Sequence, residues 1–225
     1  MVQPLQRVLF PAFSAIQNEP ERFRDGILKS GRLLALTFMP VGFGMAAVAP
    51  ELVRVLYGDQ WLAMIPVIQI IAVATGFGAA ASISSPIFNA TDKVGLNFRL
   101  YGITTILSVV FLLFGSQWGV IGVTWSRLAL TGVGMVFFRV SLRLVSMGWR
   151  HIWQIMGTPT LAAGAMWVLI ELARPALQPM SLSSASQLVC LISLGAASYI
   201  CLSLVISREH VQNAKQVMFK LRPSS

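Results

Sequence analysis

The chain has 225 residues, of which 56% are hydrophobic and only 11% are charged, and its mean hydropathy is +0.73. This composition excludes an ordinary soluble domain, because too few polar residues are available to cover a surface in water. The net charge of +9 would suggest nucleic-acid binding in a soluble protein, but no nucleic-acid-binding motif accompanies it. The basic residues flank hydrophobic runs, so we expect them to face membrane lipids and not nucleic acid.

Six hydrophobic runs predict membrane-spanning helices, since about 20 apolar residues cross a bilayer core. The runs are residues 33–48, 61–88, 100–118, 119–138, 152–172 and 182–206. Segments on one side of the predicted membrane hold fourteen of the seventeen basic residues, whereas the opposite side holds only Arg54 and Arg174. Because cationic loops stay in the cytoplasm, this asymmetry predicts a multi-pass protein with a cytoplasmic C-terminus.

The residues before the first run predict two helical segments. Residues 1–16 are apolar, too short to span a bilayer and interrupted by Pro4 and Pro11, so they are interpreted as the end of a truncated helix. Asn18 and Pro20 then predict the start of an amphipathic helix at the cytoplasmic interface.

The predicted fold class is therefore all-α integral membrane, with about six transmembrane helices plus an N-terminal partial helix and a cytoplasmic amphipathic helix. Four regions are expected along the chain. They are the partial and amphipathic helices (1–32), four transmembrane helices (33–138), a basic connector with two terminal transmembrane helices (139–206), and a basic cytoplasmic tail (207–225).

Proline and glycine residues mark where the first two spans are expected to bend. The first span contains Pro40, Gly42 and Gly44, and the second contains Pro66 and Pro86. Proline removes a backbone hydrogen bond from a helix, and glycine permits close contact between helices. These residues are candidates for hinges, and close helix packing is the alternative interpretation for the glycines.

Arg127 is the one basic residue inside a predicted span. It lies about 12 Å from the start of the fourth span by helical rise, where a guanidinium facing lipid costs at least ~2.5–3.5 kcal/mol. Thr124 and Thr131 lie three residues before it and four after it, so all three share one helix face. Two interpretations of Arg127 stay open. It lines a cavity and meets phosphate or another anionic group, or it is a structural arginine that snorkels to the membrane surface or binds carbonyls of a neighbouring helix.

The second span carries a similar face. Gly78, Ser82, Ser85 and Asn89 follow each other at helical spacing, and Gln69 lies elsewhere in the same run. A hydrophilic pathway and close packing of small residues are both compatible with this pattern. The acidic residues lie mostly near span ends, where solvation in loops is the expected role. No catalytic, metal-binding or phosphate-binding motif is present, so we predict no enzyme activity and no cofactor.

Four short motifs suggest a family. They are Leu-Phe-Pro-Ala-Phe-Ser at residues 9–14, Pro-Val-Gly-Phe-Gly at 40–44, Ala-Pro-Glu-Leu-Val at 49–53 and Gly-Asp-Gln-Trp at 58–61. Together they resemble the lipopolysaccharide/exopolysaccharide flippases within the multidrug/oligosaccharidyl-lipid/polysaccharide exporter superfamily. The resemblance extends through about residue 138 and is more specific in residues 9–61.

The resemblance implies two lobes of six helices around a central cavity, often with two further helices at the end. Such proteins lie in the bacterial inner membrane and move undecaprenyl-diphosphate-linked oligosaccharide to the periplasmic leaflet. Residues 1–16 would then be the end of the second helix of the C-terminal lobe, and the N-terminal lobe would be a missing partner. By the same resemblance, Arg127 would pair with the diphosphate or with sugar acids.

Three other functions remain open. A drug or cation exporter of the same superfamily should carry acidic residues in the middle of a span, and this chain has none there. A membrane-embedded polysaccharide ligase or polymerase needs catalytic side chains and usually a long periplasmic loop, whereas the longest predicted outer connection is residues 49–60. A nonfunctional truncated remnant is the third possibility.

Overall fold

The computed structural model describes residues 3–177 and 183–220, with side chains from 9 to 176 and from 183 to 204. All regular elements in these residues are helical. The α-helices are α1 (Gln3–Ile16), α2 (Pro20–Ala47), α3 (Ala49–Leu56), α4 (Ile65–Ala81), α5 (Ser84–Ala90), α6 (Val94–Ser116), α7 (Gly119–Leu144), α8 (Trp149–Ile152), α9 (Thr158–Leu177) and α10 (Ser184–Lys220). A 3₁₀-helix, Asp59–Met64, precedes α4, and a π-helix, Trp153–Gly157, precedes α9.

Six helical stretches within the described ranges are long and apolar enough to cross a membrane. They are Pro20–Ala47, Asp59–Ala90, Val94–Ser116, Gly119–Leu144, Trp149–Ala176 and Ser184–Leu204. The predicted all-α integral membrane fold is therefore confirmed.

The helix α2 unites two segments that the sequence separates. The predicted interfacial helix and the first span form one 28-residue helix, which also continues through Pro40. At about 42 Å, α2 is longer than a bilayer core is thick. One face of its first turns is accordingly polar and exposed, with Arg22 bound to Glu19 at 2.8 Å and Lys29 bound to Asp25 at 2.6 Å.

The second span is interrupted near its end. The helix α4 ends at Ala81, and α5 begins at Ser84 after a two-residue turn. Pro66 and Pro86 both lie in the first turn of a helix, where a missing N–H leaves no hydrogen bond unmade. The two prolines therefore mark where helices begin, and their role as hinges stays a prediction.

Tight packing of α2 on α4 forms the centre of the molecule. A Cβ atom added to Gly42 would lie 2.5 Å from the carbonyl oxygen of Ala72 and 3.2 Å from the Cα of Gly76. Only glycine fits such a contact, which favours the packing interpretation for Gly42. Gly44 faces α9 instead, where an added Cβ would lie 3.4 Å from Met166 Cε.

Buried side chains form two connected hydrophobic clusters. The larger joins α1, α2, α5, α7 and the π-helix through residues such as Phe13, Ile27, Ile83, Phe138 and Ile155. The smaller joins the end of α2 to α9 and α10 through Ala47, Val48, Met166, Ile170 and Leu191. The core therefore lies mainly on one side of the molecule, while α6 and α7 pair with each other as a hairpin.

The turn after α7 returns the chain to the core. Ser146 adopts φ 58°, and Met147 N–H donates to the carbonyl oxygen of Leu142 at 2.9 Å, as in helix ends of the Schellman type. The buried Met147 side chain anchors this turn. Arg24 Nε on α2 donates to the carbonyl oxygen of Val145 at 2.8 Å. We call this end of the molecule, which the charge pattern predicts to be cytoplasmic, the basic end.

Candidate functional site

A cleft of about 230 Å³ lies between α4–α5, α6 and α7. We call it the polar cleft, because polar groups from all of these elements line it. These polar residues are Ser82, Ser84, Ser85, Asn97, Tyr101, Thr104, Ser108, Arg127 and Thr131. The remaining lining residues are apolar or glycine, including Gly78 and Gly134.

The interruption between α4 and α5 brings serine residues to the polar cleft. Ser82 Oγ donates to the carbonyl oxygen of Ala79 at 2.7 Å, and Ser84 Oγ donates to that of Ala81 at 2.6 Å. These carbonyl groups lie at the end of α4, where no further turn of the helix supplies N–H donors. The hydroxyl groups therefore stabilise the break and also supply polar lining to the cleft.

Arg127 gives the polar cleft its positive charge. It is the ninth residue of α7, about 12 Å from the helix start, and its side chain is exposed to the cleft. No acidic residue lines the cleft, and the ion pairs among the described residues involve other cations. A guanidinium offers up to five N–H donors in a planar arrangement that suits phosphate and carboxylate groups.

Asn97 connects α6 to α5 at the cleft. Its amide Nδ2 donates to Ser85 Oγ at 3.1 Å and to Asn89 Oδ1 at 3.0 Å. The amide therefore fixes the position of Ser85 relative to α6, which keeps the serine on the cleft wall.

Four of the residues predicted from the sequence come together here. Ser82 and Ser85 on one wall face the same space as Arg127 and Thr131 on the other. Their proximity follows from the packing of α4 and α5 against α7. Whether these side chains bind a substrate stays a prediction.

The other three predicted residues do not line the cleft. Thr124 is buried and its hydroxyl donates to the carbonyl oxygen of Val120 at 2.7 Å, within α7. Gln69 Nε2 donates to the carbonyl oxygen of Ala46 at 3.2 Å, between α4 and α2. Asn89 reaches the cleft only through its hydrogen bond with Asn97. Helical spacing placed Thr124 on one face with Arg127, and Asn89 on one face with Ser85, but it did not reveal how wide the opening is. Gln69 was predicted elsewhere in the second span.

A third polar wall was missed by sequence reasoning. Asn97, Tyr101, Thr104 and Ser108 of α6 line the cleft at successive spacings of helical period. The same spacing is present in the sequence, but none of these four positions carries a charge. Because hydroxyl groups are common in membrane helices, the pattern alone did not indicate a cleft. Thr104 and Ser108 indeed donate to carbonyl oxygens one turn earlier, at 2.7 Å each.

A buried ion pair lies at the end opposite the basic end. Glu51 of α3 is only 4% exposed, so the expected solvation of this acid in a loop is wrong. Arg174 of α9 donates from Nε to Glu51 Oε1 at 2.9 Å and from Nη2 to the carbonyl oxygen of Ala47 at 2.6 Å. The pair fixes α3 against α9, and the signal in the sequence was that both residues were predicted on the same side.

Comparisons with known proteins identify relatives by sequence. A family model described as polysaccharide biosynthesis protein matches residues 1–66. The lipopolysaccharide biosynthesis protein WzxC of Escherichia coli (strain K12) is 32% identical over 124 residues, which are 53% of this chain and 25% of WzxC. The teichuronic acid biosynthesis protein TuaB of Bacillus subtilis (strain 168) is 22% identical over 198 residues, 87% of this chain and 41% of TuaB.

The succinoglycan biosynthesis transport protein ExoT of Rhizobium meliloti (strain 1021) is 25% identical over 138 residues, 59% of this chain and 28% of ExoT. The matched segments thus span less than half the length of each of these relatives. No solved structure matches the chain significantly.

These matches confirm the resemblance to the polysaccharide flippase/exporter family. The relatives take part in polysaccharide biosynthesis and transport by their names, and together with the six apolar helices they support a multi-pass inner-membrane protein.

Proposed function

We propose that this chain forms part of a flippase that moves undecaprenyl-diphosphate-linked oligosaccharide to the periplasmic leaflet. The observation that carries the proposal is Arg127, which lies deep in a span and faces a polar cleft that contains no acid. A mid-membrane cation without a protein counter-ion is suited to an anionic cargo. The names of the relatives support a polysaccharide cargo but do not identify its lipid or its sugar.

In this proposal the polar cleft replaces water around the headgroup. A diphosphate or sugar group cannot enter hydrocarbon without losing its hydrogen bonds, which is unfavourable by several kcal/mol per group. Arg127 would pair with the diphosphate or with acidic sugars, and hydroxyl groups of Ser85, Thr104 and Thr131 would meet the sugar. No covalent bond changes, so the residues need only bind and release.

The size of the polar cleft indicates that it is one wall of a larger site. Its volume of about 230 Å³ is below the roughly 300–1,000 Å³ of ordinary ligand pockets, and the proposed cargo is larger than such ligands. We therefore propose a second lobe as the partner that completes the pathway, because alternating access needs two bodies that move against each other.

We also propose that the basic end and the C-terminus face the cytoplasm, as the charge distribution predicts. A reporter fused after Ser225 should then react only from the cytoplasmic side. Reactivity from the periplasm alone would contradict this orientation.

An export assay tests the role of Arg127. The gene that encodes this chain would be expressed, together with the proposed second lobe, in a strain that lacks its own flippase, and surface polysaccharide would be stained. Arg127→Gln should lower export by about tenfold or more, since it removes a charge-assisted interaction, while membrane abundance stays normal. Arg127→Lys keeps the positive charge but loses the planar guanidinium group. Its export should therefore lie between that of the wild-type protein and that of Arg127→Gln.

Arg54→Gln is the matched control, because Arg54 is a half-exposed cation away from the cleft. Normal export by Arg127→Gln would remove Arg127 from the mechanism. Failure of the wild-type protein, expressed together with the proposed second lobe, to restore any export would contradict the flippase function itself.

The cleft also distinguishes this proposal from a drug or cation exporter. A cationic cargo would need acidic groups, and the cleft lining contains none. Restoration of resistance to cationic drugs in place of polysaccharide export would favour the exporter.

A further inference from the structure

The turn between α7 and α8 gathers arginine residues around an exposed tryptophan at the basic end. Arg139 and Arg143 lie one helical turn apart near the end of α7, and Arg150 follows Trp149 at the start of α8. The guanidinium carbon of Arg139 lies 4.0 Å from the ring centroid of Trp149. Nη1 of Arg139 is buried and has no hydrogen-bond partner among the residues that the structure describes. We call these four residues the connector site.

Among the residues whose side chains the structure describes, no acidic residue forms an ion pair with the connector site. The sequence contains no Asp or Glu between Asp92 and Glu171, and the ion pairs formed by described residues involve other cations. Arg24 contributes a further positive charge nearby, where its Nε is bound to the carbonyl oxygen of Val145. An ionised group with a buried, unused donor is unfavourable unless a ligand accepts the hydrogen bond. The site therefore combines net positive charge with a donor that no described residue uses.

The position of the connector site along α7 places it at the membrane surface. Arg139 lies about 30 Å beyond Gly119 by helical rise, which equals the thickness of a bilayer core. Trp118 next to Gly119 is 62% exposed, and Trp149 and Trp153 near Arg139 are 66% and 67% exposed. Exposed tryptophans at both ends of a span are typical of the two headgroup levels. Arg139 thus lies where lipid phosphates lie.

We propose that the connector site binds the phosphate of an anionic phospholipid, such as phosphatidylglycerol or cardiolipin, as a bound lipid distinct from the transported cargo. Arg139 donates to the phosphate, Arg143 and Arg150 supply further positive charge, and the indole of Trp149 holds the Arg139 guanidinium through a cation–π contact. The exposed rings of Trp149 and Trp153 contact the glycerol and upper acyl region, which a soluble phosphate lacks.

This proposal is independent of the flippase proposal. Arg139 lies about 18 Å along α7 from Arg127, outside the polar cleft lining. Lipid retention can therefore be measured in the absence of any polysaccharide cargo, and its loss would leave the role of Arg127 untouched.

Retention of phosphatidylglycerol by the full chain tests the connector site. The protein would be reconstituted with phosphatidylcholine and phosphatidylglycerol, extracted into detergent, and analysed by native mass spectrometry for bound lipid. Arg139→Gln should weaken phosphatidylglycerol retention by about tenfold, as expected for loss of a charge-assisted hydrogen bond. Trp149→Leu should weaken it less, because the cation–π support is lost while the charge remains.

Arg22→Gln is the matched control. It removes one charge from the same predicted side, but Arg22 is exposed and paired with Glu19, so retention should stay at the wild-type level. Equal loss in Arg22→Gln and Arg139→Gln would overturn the site, because only general charge would then matter. Wild-type retention in both Arg139→Gln and Trp149→Leu would overturn it as well.

A competition arm separates lipid from soluble phosphate. Inorganic phosphate and glycerophosphoglycerol at millimolar concentration should fail to displace the bound lipid, because they lack acyl chains. Full displacement by either compound would assign the site to a soluble anion and overturn the lipid proposal. If Arg139→Gln does not fold, Arg139→Lys and Trp149→Leu provide the same comparison with the charge retained, and wild-type retention in both would be decisive against the site.

Discussion

The spans built on α2, α4 and α9 and the hairpin of α6 and α7 are equally helical but differ sharply in burial. In the most hydrophobic 18-residue stretch of each span, 39%, 28% and 44% of residues are buried in the first, second and fifth spans, whereas only 6% are buried in each of the two hairpin spans. The first group therefore forms the stable core of the chain. The hairpin presents most of its surface outward, to lipid or to another protein surface.

The difference does not arise from loose packing within the hairpin. A Cβ atom added to Gly115 of α6 would lie 2.6 Å from the carbonyl oxygen of Gly122 of α7, which is as close as the contact at Gly42 in the core. Both regions thus rely on glycine for close backbone contact. What distinguishes them is the other side of each helix, which faces the core in one region and the polar cleft or the exterior in the other.

The largest effect on stability is expected from breaking the buried ion pair of the core region. Arg174→Met would leave the carboxylate of Glu51 buried without its partner, which typically destabilises a protein by about 3–5 kcal/mol. The melting temperature in detergent, followed by size-exclusion chromatography after heating, should fall markedly. Arg54→Met, which removes a more exposed arginine at the same end, should melt close to the wild-type temperature.

Equal melting of the Arg174→Met and wild-type proteins would mean that the ion pair with Glu51 does not stabilise the core region, and that α3 is held by its apolar side chains alone. A Glu51→Gln, Arg174→Met double variant sharpens the measurement, because it removes both charges. Its stability should lie above that of Arg174→Met, since no buried charge is left unpaired.

A smaller loss is expected from overpacking the contact between α2 and α4. Gly42→Val would place a side chain against the carbonyl oxygen of Ala72, and overpacking typically costs about 1–3 kcal/mol. Gly102→Val in α6 is the control, because nothing lies within 4 Å of the position of an added Cβ there. A melting temperature that falls equally in both variants would contradict the role of Gly42 in the close contact between α2 and α4.

Gly42→Val also tests whether Gly42 acts as a hinge. If Gly42 served as a hinge and not as a packing residue, the valine variant would reduce export without a matching loss of stability. Export and melting temperature measured on the same membrane preparation separate these two roles.

Features of the fold that depend on local properties of the chain could be predicted from the sequence. Hydrophobic length and loop charge predicted the six spans, because both are local properties of the chain. The continuous α2 was divided because Arg22, Asp25 and Lys29 reduce the hydropathy of its first turns. A helix, however, needs only its backbone hydrogen bonds to continue past the membrane surface.

The polar cleft was predicted only in part. The helical spacing around Arg127 identified one wall, and the serines of the second span identified another. The wall from α6 depends on which face of the hairpin turns towards α5, and no local pattern fixes that rotation. The same reason applies to Glu51, since its burial depends on the approach of Arg174 from a distant helix.

Within the hairpin, a modest effect is expected from removing one hydrogen bond between its helices. Ser126 Oγ donates to the carbonyl oxygen of Phe111 at 2.6 Å, across from α7 to α6. Such bonds in membrane proteins average about 0.6 kcal/mol, so Ser126→Ala should lower the melting temperature only slightly. Ser116→Ala, whose hydroxyl donates within its own helix turn, should have no measurable effect. A large loss in Ser126→Ala would show that the hairpin contributes to overall stability as the core does.

The smallest stability effect is expected in the polar cleft, where two adjacent threonines provide a matched pair. Thr104 lines the cleft, and Thr105 is exposed and does not line it. Both hydroxyl groups donate to carbonyl oxygens one turn earlier, at 2.7 and 2.9 Å. Their replacement by valine should therefore change stability equally and by less than about 0.5 kcal/mol, since the helix keeps its backbone hydrogen bonds.

Export should separate the two variants. Thr104→Val removes a hydroxyl group from the proposed path of the headgroup, so polysaccharide export is expected to fall several-fold, consistent with the loss of a neutral hydrogen bond of about 1 kcal/mol. Thr105→Val should export normally. If both variants export equally at equal abundance, the hydroxyl wall of α6 does not meet the cargo, and the exposed hairpin owes its polar face to a neighbouring protein surface instead.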